Sequence, residues 1–226
     1  MKEEDKHLKY RYVFFDLDGT LTQSEFGIVE SARRALAHFG IEETDTGVLK
    51  KFIGPPLFVS FHDFYGLSDE QSFEAIDCYR DYYLKEGIYL APLYDGVREM
   101  LQSLKEAGYT LMMVTSKPQP MAEIVATSRG IRDCFDAIVG PSAETRDPSK
   151  ALLIREAMEY LGIGEESIPQ IVMVGDRFYD IEGAKAVGVD SIGVLYGYGT
   201  EEELVNAGAT KLAHTAQEIT EIVKNA

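Results

Sequence analysis

Apolar residues along this chain fall into short, nearly unbroken runs, separated by longer stretches in which they recur every three or four positions. The runs are RYVFF before Asp16, TLMMV before Thr115, DAIV before Gly140, QIVMV before Gly175 and SIGVLYG from Ser191. They are rich in β-branched or aromatic residues and lack polar alternation, as strands buried on both faces do. Between them, Val97, Met100, Leu101 and Leu104 share one helical face, and Ile154, Met158 and Leu161 share another. Strands alternating with helices predict an α/β fold, a Rossmann-like, doubly wound parallel sheet covered on both faces.

From about Glu25 to Pro92 the alternation stops and helical patterns take over. One helix is predicted through Ile28 to Phe39; another opens with the capping-box pattern Ser68-x-x-Gln71 and runs to about Lys85. The expected organisation is a helical cap domain, residues 23–92, inserted after the first strand of a core domain made of residues 1–22 and 93–226. The segment Tyr94-Asp95-Gly96 turns the chain back into the core. Thr200-x-x-Glu203 and Thr215-x-x-Glu218 read as two further helix starts of ordinary structural kind.

Composition narrows the classes of partner. The 226 residues are 45% hydrophobic and 27% charged, an ordinary globular balance for one large domain or a domain with an insertion. Lys and Arg number 22 against 38 Asp and Glu, a net charge of −16. A surface so acidic repels nucleic-acid backbones and anionic membranes, but leaves room for a small anion in a locally positive pocket. Cys78 and Cys134 have no pairing pattern, so they are expected to be buried free thiols in a reducing compartment. The segment MKEEDKHLKYR is charged, and no run approaches the ~18–20 apolar residues that span a bilayer. The expected location is the cytoplasm, with neither membrane nor nucleic-acid polymer as partner.

Candidate chemistry sits where the predicted strands end: Asp16-Leu17-Asp18-Gly19-Thr20, Thr115-Ser116-Lys117, and Gly175-Asp176 with Asp180 four residues on. Open α/β sheets bind ligands at the carboxyl ends of their strands. Gathering Asp16, Asp18, Asp176 and Asp180 there demands a compensating cation, and Mg²⁺, with its taste for hard oxygen ligands, suits them. The spacing of Asp16 and Asp18 lets one carboxylate attack while the other handles protons. A lone Asp-x-Asp-Gly is more often a plain polar turn, and it is the downstream clusters that weigh against that reading here. Thr115 and Ser116 can donate to a phosphate or simply cap a helix. Lys150 lies at a predicted helix start with Asp147 as cap and Pro148 in the first position; it opposes the helix dipole, yet the two together would hold an anion. A solvated surface lysine is the competing reading.

Taken in order, Asp16-x-Asp18-Gly-Thr20, Thr115-Ser116, Lys150 and Gly175-Asp176-x-x-x-Asp180 resemble the four motifs of the haloacid dehalogenase superfamily. The resemblance implies the Rossmann-like core and the helical cap argued above. It also implies an Asp16 nucleophile that becomes an aspartyl-phosphate, and an Asp18 that serves as general acid and then base while offering its carbonyl to Mg²⁺. Thr115 and Ser116 would hold the phosphoryl group, Lys150 would neutralise charge and steady Asp16, and Asp176 would complete the Mg²⁺ shell. Asp180 would reach the ion through water or orient Lys150. Gly19, Thr20, Arg146 and Gly54, the last in a loop matching the family's cap loop, would take part in phosphate or substrate binding. Dehalogenase members lack the second aspartate, so Asp18 points away from carbon–halogen chemistry.

FIGPPL, VTSKP, VGDRFYDIEGAK and IGVLYGYG are similar to the phosphoglycolate-phosphatase-like branch, and within it to the bacterial 5′-nucleotidase-like members. Ala151 stands after Lys150 where many of these phosphatases carry proline, which favours the nucleotidase-like members. The activity implied is Mg²⁺-dependent hydrolysis of a small phosphorylated metabolite, a nucleoside monophosphate ahead of phosphoglycolate. The alternatives are a β-phosphoglucomutase-like sugar-phosphate mutase and a phosphate-binding regulator without turnover. Among the many cap aromatics, one or two could stack on a base and most are expected to be packing.

Overall fold

The computed structural model describes residues 9–53, 57–142 and 149–226. The chain divides into two compact units, Met1–Thr22 with Leu93–Ala226, and Gln23–Pro92. The strands of the first unit are β1 (Tyr12–Phe15), β2 (Thr110–Val114), β3 (Ala137–Val139), β4 (Ile171–Gly175), β5 (Asp190–Val194) and β6 (Lys211–Ala213). In chain order the helices are α1 (Glu25–His38), α2 (Thr46–Leu49), α3 (Leu57–Tyr65), α4 (Asp69–Lys85), α5 (Val97–Glu106), α6 (Gln119–Ser128), α7 (Lys150–Tyr160), α8 (Phe178–Val187), α9 (Glu201–Ala207) and α10 (Ala216–Lys224).

The strands form one parallel sheet in the order β3-β2-β1-β4-β5-β6, so the chain reverses direction across the sheet at β1. Every residue of β1 and β4 is buried, as their unbroken apolar runs predict. Against one face, Leu153, Ile154, Ala157 and Met158 of α7 pack with Ala184 and Val187 of α8 on Phe14, Met112 and Met173. The predicted stripe of α5, Val97, Met100, Leu101 and Leu104, is buried, and α5 packs on β2 and α10. Burying a side chain of this size contributes about 1.5–3 kcal/mol, offset by the ordering entropy of the chain.

The structure departs from the sequence-based expectations in four places. The fifth run ends as a strand at Val194, and Tyr196 to Gly199 leave the sheet in a turn. A sixth strand, β6, closes the edge; with only three residues, one of them exposed, it carries no continuous apolar run to betray it. Helix α7 is capped by Ser149, whose hydroxyl accepts from the Leu152 N–H at 3.4 Å, rather than by Asp147, so Lys150 is its first residue. Asp147 and Pro148 lie outside the described residues. Cys78 and Cys134 are free, as expected, but only half-buried. Cys78 falls on the flank of α4, between exposed Asp77 and buried Tyr79, which is why its neighbours gave a misleading signal.

In the helical unit α1 packs on α4. The predicted capping box opens α4: Ser68 Oγ accepts from Gln71 N at 3.2 Å and the Gln71 side chain accepts from Ser68 N at 3.1 Å. Phe52, Phe61, Tyr79 and Tyr83 are core, whereas Phe64 and Phe73 are exposed. No helix among the described residues is long and apolar enough to cross a membrane.

Candidate active site

Register brings the strand ends together. Phe15 pairs with Met113 on one side and Val174 on the other, so the residues that follow β1, β2 and β4 emerge at one edge of the sheet. The Asp16 N–H still donates to the Val174 carbonyl at 2.9 Å, which anchors Asp16 as a continuation of β1. Beyond it the chain folds into a tight turn in which Leu17 O accepts from Leu21 N and Thr22 N at 2.9 and 3.0 Å. Gly19 takes φ +87° in that turn, and a Cβ there would collide with the Asp176 carboxylate. Glycine is required on both counts.

Asp16, Asp176 and Asp180 each present a carboxylate oxygen, all within 4.8 Å of one another. Lys150, at the first turn of α7, reaches into this group. Its Nζ lies 2.9 Å from Asp16 Oδ1, 2.8 Å from Asp180 Oδ1 and 3.0 Å from the Val114 carbonyl oxygen. Lys150 is therefore a buried charge in the site, not a solvated surface lysine. Burial raises the Asp16 carboxyl to about 6; Lys150 opposes that rise, while Asp180 and Asp18 add to it. Burial acts against the Lys150 ammonium too, but Asp16 and Asp180 outweigh it and hold its pKa above the ordinary value. Burial, with Asp180 and Asp16 nearby, pushes Asp176 well above the usual carboxylate range. Three carboxylates around one ammonium leave an excess of hard, negatively charged oxygen, a donor set that fits Mg²⁺.

Asp176 is held from two directions. The Thr20 hydroxyl donates to Oδ1 at 3.1 Å and the Tyr198 N–H to Oδ2 at 2.8 Å. The turn after β5 lies so close that a Cβ on Gly199 would strike the Asp176 carbonyl oxygen. The Tyr196 hydroxyl donates to the Thr20 carbonyl at 2.9 Å, tying the same turn to the Asp18–Thr22 segment. Asp180 accepts from the Arg177 N–H at 3.1 Å through its Oδ2, leaving Oδ1 to Lys150.

Asp18 points elsewhere. Its Oδ2 accepts from the Lys117 ammonium at 2.6 Å, while its Oδ1 is buried and accepts no hydrogen bond among the described residues. Thr115 is buried at the end of β2, its Oγ1 accepting from the Lys117 N–H at 3.2 Å, and Ser116 beside it is exposed. Asp16, Asp18, Thr20, Thr115, Lys117, Lys150, Asp176 and Asp180 thus gather around one edge of the sheet. Thr20 is fully buried, and its hydroxyl supports the Asp176 carboxylate. Arg177 Nε pairs with Glu203 at 2.8 Å. Gly54 and Arg146 lie outside the described residues.

Sequence reasoning left Lys117 unassigned and missed the Tyr198 backbone donor. Lys117 adjoins Ser116 in the second cluster, and that adjacency was its available signal. The Tyr198 N–H has no side-chain signature; only the glycines around it hint that backbone comes close to something.

The sequence signature of the haloacid dehalogenase-like hydrolases matches residues 13–194. A 5′-nucleotidase from Pseudomonas aeruginosa is 40% identical over 200 residues, 88% of this chain and 89% of that protein. The tyrosine-protein kinase PtkA of Mycobacterium tuberculosis is 37% identical over 205 residues, 90% of this chain and 68% of that protein. The crystal structure of a predicted phosphatase from Clostridium acetobutylicum superposes with a TM-score of 0.87 at 41% identity, covering 96% of this chain and 99% of that one. With the strand-end carboxylates and their buried lysine in place, these similarities show that the chain belongs to the haloacid dehalogenase-like hydrolases, as a phosphatase acting on a phosphorylated substrate.

Proposed function

We propose that this phosphatase is a Mg²⁺-dependent phosphomonoesterase that works through an aspartyl-phosphate on Asp16 and prefers a nucleoside monophosphate to phosphoglycolate. The observation that carries the chemistry is the Lys150 ammonium, placed 2.9 Å from Asp16 Oδ1 and 2.8 Å from Asp180 Oδ1 beside the carboxylate of Asp176. The 40% identity to a 5′-nucleotidase, together with Ala151 after Lys150, supports the substrate preference.

Asp16 attacks the phosphorus, and the bond to the leaving oxygen breaks as Asp18 gives that oxygen a proton. Asp18, now a carboxylate, takes a proton from water; the hydroxide attacks the same phosphorus and releases inorganic phosphate and the Asp16 carboxylate. Asp18 ends protonated, as it began. Lys150 holds Asp16 in place and offsets charge that grows on the phosphoryl oxygens. Thr115 and Ser116, which follow β2, would donate to those oxygens, Ser116 being the exposed one. Asp16, Asp176 and Asp180, with the Asp18 carbonyl, would hold Mg²⁺, which supplies a Lewis acid that draws phosphoryl oxygen charge toward itself and screens the carboxylates.

The test is phosphate release from nucleoside monophosphates, phosphoglycolate and sugar phosphates, with Mg²⁺ and with EDTA. The proposal requires Mg²⁺-dependent release ranked with nucleotides first; release unaffected by EDTA, or phosphoglycolate ranked first, overturns the corresponding part. A second reading has its own support, the 37% identity to a protein named as a tyrosine kinase. There the Asp16 phosphoryl group passes to a tyrosine hydroxyl in place of water, and a phosphotyrosine product in an assay with a nucleoside triphosphate would establish it. The mutase reading predicts isomerisation of a sugar phosphate with little phosphate release, and the regulator reading predicts binding without turnover.

A further inference from the structure

We infer that Lys117 is a positioning residue for the proton transfer: it pins one oxygen of Asp18 and so assigns the other oxygen to the leaving group. This rests on the role of Asp18 in the proposed function. Lys117 is almost entirely buried, its side chain 6% exposed, and its Nζ lies 2.6 Å from Asp18 Oδ2. A lysine gives up its hydration and side-chain freedom at such a site, and a charge-assisted bond of this length is the compensation. The Lys117 backbone is fixed as well, since its N–H donates to Thr115 Oγ1 at 3.2 Å at the end of β2. Lys117 therefore holds Asp18 from a rigid strand end.

The second observation concerns the other oxygen. Asp18 Oδ1 is buried yet accepts no hydrogen bond among the described residues. A buried carboxylate oxygen left without a donor is costly, and native proteins keep such atoms chiefly where a function uses them. With Oδ2 committed to Lys117, Oδ1 is the oxygen left to carry the proton. Lys117 and Lys150 then divide the work: Lys150 touches Asp16 and Asp180, and Lys117 touches Asp18. Each of the two aspartates in the first motif has its own ammonium.

A residue that acts through the proton donor matters in proportion to how badly the leaving group needs a proton. The experiment compares a nucleoside 5′-monophosphate, whose alkoxide needs protonation, with p-nitrophenyl phosphate, whose phenolate departs unaided. Lys117→Met and Lys117→Gln are assayed on both at saturating Mg²⁺, with thermal melting to confirm the fold. General acid–base catalysis is worth about 10²–10⁴-fold, so losing the alignment of its donor should lower kcat on the nucleotide by about 10- to 100-fold. On p-nitrophenyl phosphate the loss should be less than about threefold, with KM changed little on either substrate.

An equal loss of kcat on both substrates, or a rise in KM alone, makes Lys117 a phosphate-binding or merely structural residue and overturns the inference. Unchanged kinetics in folded variants overturn it too. Should Lys117→Met fail to fold, Lys117→Gln, whose polar side chain is one bond shorter and carries no charge to hold Asp18 Oδ2, carries the same comparison. Wild-type protein inactive on every phosphomonoester would instead sink the proposed function, an outcome visible before any variant is made.

Discussion

At the strand ends of the α/β unit, charges are buried against one another: the Lys150 side chain is 3% exposed and its partner Asp180 equally so, whereas Arg155 and Glu165 of the same unit pair in the open. In the helical unit, ion pairs lie in the open; Lys85 and Asp81 are both 68% exposed at 2.5 Å. Exposed pairs of that kind contribute about 0–1 kcal/mol, because water competes for both partners. A buried pair is another matter. It is no better than a well-packed apolar pair for stability, yet removing one member strands the other in a poor dielectric. The strand ends of the α/β unit therefore carry charges that stability alone would not select. The contrast separates residues present for chemistry from residues present for solubility.

The most severe way to break the comparison is Asp16→Asn. Losing the nucleophile should lower Mg²⁺-supported phosphate release by about three orders of magnitude or more, measured with saturating nucleotide. A variant within tenfold of wild type would remove Asp16 from the chemistry.

Lys150→Met tests the stability half. Asp16 and Asp180 lose their shared ammonium, and breaking a buried pair costs about 3–5 kcal/mol. Urea unfolding of the metal-free protein near neutral pH should show that loss, and it should shrink when the pH is lowered enough to protonate Asp16. Lys85→Met in the helical unit should change stability by less than about 1 kcal/mol.

The pH dependence sharpens the same point. Asp16 is raised from 3.8 to about 6 in the folded protein and Asp176 is raised as well. A raised carboxylate holds its proton in the folded state after the unfolded chain has released it. The stability it contributes is full below about pH 4 and is lost as the pH rises toward and through about 6. Metal-free wild-type protein should therefore lose stability across that window, as followed by thermal melting, and Mg²⁺ should restore it. Mg²⁺ affinity, measured by calorimetry, should rise over the same range as protons are released from the ligands.

The smallest expected effect is in the helical unit. Ser68→Ala removes one half of the α4 capping box and should cost about 1 kcal/mol. Chemical denaturation measures it, and phosphate release at saturating substrate should be unchanged.

Much of this was legible in advance for identifiable reasons. Continuous apolar runs mark strands with two buried faces, and four of the five runs became strands within a residue or so of their ends. Ser68, Thr200 and Thr215 were readable as caps because capping is local, an oxygen meeting an N–H three residues on. The α7 cap was misplaced because Asp147-Pro148 and Ser149 both satisfy that local pattern, and only the backbone path chooses between them. β6 escaped because an edge strand this short takes its identity from its neighbour β5, not from its own residues.

By itself the sequence determined the chemistry available at each strand end, since a run of buried residues must stop where polar ones begin. The positions of Asp16, Thr115 and Asp176 follow from that rule. Only the tertiary structure decided which carboxylate meets which ammonium. Lys150 lies 134 residues from Asp16, and Lys117 lies 99 residues from Asp18. Pairings of that kind are set by strand order and register, in which β1 sits between β2 and β4, and no local pattern encodes which side chains a neighbouring strand will bring.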